Sequence, residues 1–175
     1  MLAYLFVLLA IAVRFLPHPW TFTPVVGSLL FFGARGSRRY IWVPFGLLVA
    51  SDVILTKFVW AYAFTWDQLV IWAWYAAILW LGTRLQAKSR PLIVVGAALA
   101  SSVSFFLISN FVVWIATNLY PKNFGGLVSS YTLALPFFRN AVEGDLLFTA
   151  AMFATPLLAR SLAGAFAKDD HTAAA

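Results

Sequence analysis

The chain has 175 residues, 63% of them hydrophobic and 10% charged, where soluble domains carry roughly 45–50% and 25%. That is too much apolar surface for a soluble domain of this length, and a single helical bundle with no room for a separate soluble domain is expected. The net charge of +6 does not point to nucleic acid, because most Lys and Arg residues sit in short loops between apolar runs.

Six apolar segments follow one another. A membrane-spanning helix needs about 20 mostly apolar residues, fewer where its ends snorkel or the bilayer thins. The first segment covers Leu2 to Leu16, carries Arg14 near its end and stops at Pro17 and Pro19. Its opening, MLAYLFVLLAIAV, lacks the basic start and the cleavage site of a signal peptide, so a retained helix is expected. The second covers Phe22 to Ala34. Both are short, so a re-entrant hairpin is an alternative to two spans. The third covers Ile41 to Phe58 with Asp52 inside, and the fourth Trp66 to Leu85. The fifth, Leu92 to Leu119, is long enough to tilt. The sixth covers Ala141 to Leu162. Between the last two, Tyr120 to Asn140 holds Pro121, Gly125, Gly126 and Pro136 and reads as a long connection. Its stretch Leu127 to Leu135 could form a short interfacial helix. Residues 1–167 form one transmembrane domain, and 168–175 a flexible cytoplasmic tail.

The fold class expected is therefore all-α, a polytopic membrane bundle of about six transmembrane helices. Arg35, Arg38 and Arg39 make one basic loop, and Arg84, Lys88 and Arg90 another. Cytoplasmic loops collect Lys and Arg, so both loops, and with them both termini, are placed in the cytoplasm. Tyr40, Trp42 and Trp80 lie beside these loops, while Trp20, Trp60, Trp66 and Tyr120 lie at the opposite level. Trp and Tyr favour the two interfaces.

Several polar residues interrupt the apolar runs. An ionised group at the centre of a span costs at least about 2.5–3.5 kcal/mol. Arg14 either snorkels to the headgroups or serves a site or an internal ion pair. Asp52 is too short to snorkel and needs a partner, for which Arg14 is a candidate. Asn110, Trp114 and Asn118 recur every fourth residue on one helical face, as an interhelical contact or a cavity wall. Arg139 and Glu143 are four apart and can pair along a helix, with Asn140 and Asp145 beside them near its start. Among these, Arg14, Trp20, Asp52, Trp60, Asn110, Trp114, Asn118 and Arg139 are the candidate substrate-binding residues.

Other chemistry finds little support. There is no cysteine, which removes disulfides, thiolate metal sites and a cysteine nucleophile. His18 and His171 lack metal-ligand spacing. No G-x-S-x-G, P-loop or dinucleotide fingerprint occurs, so no cofactor, no metal, no nucleotide hydrolysis and no catalytic residue is expected.

The run RFLPHPWTFTPVVGSLLFFGAR followed by ASDVIL resembles a family of small uncharacterised bacterial membrane proteins described as transport proteins. Arg14, Leu16 to Pro19, Phe22 to Pro24, Phe32 to Ala34, Ser51 and Asp52 carry the likeness. SVSFFLISNFVVW and LPFFRNAVEGDLLF extend it over nearly the whole chain. That family is in turn similar to the substrate-binding subunits of energy-coupling-factor vitamin transporters. The resemblance implies six helices in the bacterial inner membrane and a small-solute pocket near the outer face. It also implies a separate membrane scaffold with two ATPases. One departure is visible. The Ala-x-x-x-Ala docking pattern of helix one in those subunits is absent from the first segment, whereas Ala150 and Ala154 in the sixth have that spacing. The reading that follows is a substrate-binding membrane subunit capturing a small solute from outside. Its rival is a non-transport structural or assembly protein. An intramembrane enzyme is the weaker third class.

Overall fold

A computed structural model describes residues 1–85 and 90–173. Lys88 of the second basic loop and the side chains of Lys168 and His171 lie outside the described residues. Six α-helices are present among those described: α1 (Leu2–Arg14), α2 (Val25–Arg35), α3 (Trp42–Ile54), α4 (Asp67–Arg84), α5 (Pro91–Ala116) and α6 (Phe124–Ala173). A 3₁₀ turn, Arg38–Tyr40, leads into α3, and a π-helical turn, Leu55–Val59, closes it. The fold is all-α, as expected. Among the described residues, three helical stretches are long and apolar enough to cross a membrane: Arg38–Val59, Pro91–Ala116 and Phe124–Ser161.

The short second helix is the centre of the bundle. Every residue from Val25 to Gly33 is buried, as expected of a helix that is apolar on all sides. It packs against α1, α4, α5 and α6. Leu29, Leu30, Phe31 and Phe32 are each no more than 2% exposed. Tyr4 and Phe6 of α1 meet Phe32 and Phe31 edge to face at 5.0 and 4.9 Å. At 1.5 Å per residue, α1 and α2 are only about 20 and 16 Å long, against a hydrocarbon layer of about 30 Å.

Contact between α2 and α4 depends on two glycines. A Cβ on Gly33 would lie 2.4 Å from the Leu79 carbonyl oxygen and 2.7 Å from Gly82 Cα. A Cβ on Gly82 would lie 2.7 Å from the Leu30 carbonyl oxygen. Small residues let helix backbones approach this closely inside a membrane bundle.

The long connection expected at Tyr120 to Asn140 is corrected. From Phe124 onward it is the first half of α6. Asn123 starts the helix, its Oδ1 accepting the Gly126 N–H at 2.8 Å. Gly125 and Gly126 thus occupy the capped first turn instead of breaking a chain. Gly126 fits there because a Cβ would fall 1.9 Å from the Pro121 carbonyl oxygen. Pro136 and Pro156 both lie inside α6. Proline is tolerated within membrane helices where neighbours and local adjustments satisfy the freed backbone groups. The helical backbone also continues through 168–173, the first part of the expected tail.

Candidate functional site: a cavity walled by an ion pair and aromatic rings

The cavity forms where the short helices stop. α1 ends at Arg14, and the linker that follows, with Pro17 and Pro19, cannot continue the helix. Thr21 in this linker has φ 64°, a left-handed conformation rare for a β-branched residue. Its hydroxyl donates to the Phe137 carbonyl oxygen at 2.6 Å and so fastens the linker to α6. The Asn140 side chain adds a bond to the Trp20 carbonyl oxygen at 3.2 Å. The π turn after α3 carries the chain to Trp60 on the other side. Together with the first turns of α4, these segments enclose a cavity of about 640 Å³. That volume lies within the range of roughly 300–1,000 Å³ typical of small-molecule sites.

Arg14 and Asp52 both face this cavity and are ion-paired. Their side chains are 12% and 7% exposed. The Arg14 guanidinium also donates to Ser51 Oγ at 2.6 Å. Asp52 receives the Trp72 indole N–H at 3.0 Å, and the Tyr75 hydroxyl approaches at 3.4 Å. Buried charges persist when they are paired and hydrogen-bonded, and here both conditions are met. The pair forms one neutral polar wall joining α1, α3 and α4.

Aromatic rings make up much of the remaining wall. Trp20, Trp60, Trp74, Tyr75 and Phe105 line it. Trp74 stands 4.8 Å from the Phe105 ring and donates its indole N–H to Ser104 at 3.0 Å. This ties α4 to α5 behind the cavity.

Asp145 of α6 also lines the cavity. It is 6% exposed, and its Oδ2 accepts the Ser102 hydroxyl at 2.6 Å. Sequence reasoning placed this acid in the outer first turn of a helix beginning at 141. With α6 starting at Phe124, Asp145 falls well inside the helix. The mistaken helix start hid the signal, because an acid in the middle of an apolar helix would have been singled out as Asp52 was. Trp72 and Tyr75 were missed for a different reason. Their roles come from partners on other helices.

Of the sequence-derived candidates, Arg14, Trp20, Asp52 and Trp60 line the cavity. Asn110, Trp114, Asn118 and Arg139 do not. The Asn110 amide donates to the Phe106 carbonyl oxygen of its own helix at 2.8 Å. Trp114 donates to the Pro121 carbonyl oxygen at 2.9 Å, bracing the turn between α5 and α6. Asn118 is exposed in that turn. Arg139 is exposed and paired with Glu143 at 2.8 Å along the helix surface. Shared periodicity put three of these on one face without saying which neighbour that face meets.

Residues of the first basic loop meet the end of α4 at the other end of the bundle. Arg38 donates to the Thr83 carbonyl oxygen at 3.1 Å, and Arg84 lies over the Trp80 ring at 4.5 Å. The Arg38 bond joins the end of α4 to the turn after α2, whereas the cavity is bordered by the starts of the same two helices.

Residues 1–166 match DUF6580, a family of unknown function. The chain belongs to this family. No curated protein and no solved structure matches the chain. With its three long apolar helical stretches, this DUF6580 member is a membrane protein.

Proposed function

We propose that this DUF6580 protein is a multi-pass protein of the bacterial cytoplasmic membrane that captures a small solute from the outer face. The observation that carries this is the cavity of about 640 Å³ walled by the Arg14–Asp52 pair and tryptophan rings. Concave, mostly apolar sites with a few fixed polar groups are the usual form of small-molecule sites. The orientation follows from charge. Arg35, Arg38, Arg39 and Arg84 lie at the ends of α2 and α4 remote from the cavity, and basic ends face the cytoplasm. The cavity then opens outward and both termini are cytoplasmic.

In this proposal the protein is a binding subunit without its own ATPase. Partner proteins supply transport energy, through a membrane scaffold carrying ATPases. Ala150 is exposed and Ala154 half-buried on α6, the spacing at which small residues admit a close helix neighbour. The rival reading, a structural or assembly protein with no solute, has no use for a polar-walled cavity.

Native mass spectrometry of protein taken from its own membrane into nanodiscs tests the proposal. A bound small molecule other than lipid, lost in Trp60→Ala, is the expected result. A spectrum of empty and lipid-bound protein alone would count for the rival.

A further inference from the structure

We propose that the cavity selects a small organic cation, an ammonium or protonated amine carried on a flat aromatic or apolar body. This rests on the solute-binding reading above and adds the charge of the solute.

The inference comes from the charges on the cavity wall. Arg14 and Asp52 neutralise one another. Asp145 has no such partner. Among the described residues, no Lys, Arg or His lies within ion-pair distance of it. Ser102 occupies Oδ2, and no hydrogen bond reaches Oδ1 among the described residues. The carboxyl group thus keeps an oxygen without a hydrogen bond at a cavity that Asp145 lines. A buried carboxylate without a counter-charge is costly, and a cation brought in by a ligand supplies the missing charge.

The rest of the wall suits the same solute. Trp20, Trp60, Trp74, Tyr75 and Phe105 line the same space. Aromatic faces attract ammonium and guanidinium groups, most strongly where water is excluded. His18, also on the wall, has Nδ1 2.6 Å from the Leu16 carbonyl oxygen. A carbonyl only accepts, so Nδ1 carries the proton, and in the neutral ring Nε2 is an acceptor. An anionic solute would meet Asp145 unshielded, with the Arg14 guanidinium already engaged by Asp52 and Ser51. Repulsion of this kind is as much a part of selectivity as attraction.

The test uses three probes of one shape and different charge: tryptamine, its neutral alcohol counterpart tryptophol, and the anion indole-3-propionate. Binding to the full-length protein in nanodiscs is measured calorimetrically, with protein-free nanodiscs as control. Tryptamine is expected to bind at least ten-fold more tightly than either counterpart. Asp145→Asn should bring tryptamine down to the level of tryptophol. If that variant does not fold, the selectivity of the unaltered protein still decides the question. Tryptophol or indole-3-propionate binding as well as tryptamine would overturn the charge assignment while leaving the solute site standing. A folded Asp145→Asn protein that keeps the preference would also overturn it. If none of the three binds, the cation assignment falls, and the solute-binding reading then stands or falls by the mass-spectrometric result.

Discussion

Arg14 at the end of α1 and Asp52 near the end of α3 are joined in a buried ion pair across 38 positions of sequence. Each removes the need for the other to find water. Breaking a buried pair by deleting one partner typically costs about 3–5 kcal/mol, because an uncompensated charge stays behind. Arg14→Met should therefore destabilise the protein strongly. Arg14→Met combined with Asp52→Asn should recover part of that loss. SDS-titration unfolding of the four proteins in a double-mutant cycle measures this. A double variant no better than the single one would show that the two charges are not coupled.

The glycine contact between α2 and α4 leads to a second expectation. Gly33→Ala places a methyl group against backbone atoms at 2.4 to 2.7 Å, where no flexible side chain can yield. Overpacking of this kind costs about 1–3 kcal/mol. Gly46 has open space at its Cβ position, so Gly46→Ala should be neutral or slightly stabilising, since Ala favours helix by about 1 kcal/mol. Thermal unfolding of the two variants in the same detergent should separate them by several degrees.

The proposed orientation is open to labelling. Cysteine introduced at Asn123, beside the start of α6, should react with a membrane-impermeant maleimide added to intact cells or spheroplasts. Cysteine at Ser37, between the basic residues that follow α2, should react only after permeabilisation. The native chain has no cysteine to confuse the readout. The reverse pattern would invert the topology and turn the cavity toward the cytoplasm.

The cavity also separates residues that the sequence had grouped. Trp60→Ala should weaken solute binding several-fold, because Trp60 lines the cavity while remaining 48% exposed, so its removal leaves the fold intact. Asn110→Ala and Arg139→Ala should leave affinity unchanged, as their polar groups are occupied within their own helices. Affinity measurements on the three variants check this with any solute that binds.

The sequence by itself determined the fold class, five of the six helices to within a few residues, and the burial need of Arg14 and Asp52. These follow from local quantities: apolar length, the punctuation of Pro and Gly, and the cost of a charge in hydrocarbon. It misjudged the start of α6 because Gly125, Gly126 and Pro136 signal a loop in water but are accommodated in a capped, packed helix. The tertiary structure alone decided that the short α2 is central, that α2 and α4 meet backbone to backbone, and that Asp145 faces the cavity while Asn110 does not. A helical period says which residues share a face, but a chain that is apolar on nearly every face carries no mark of which one meets protein and which meets lipid.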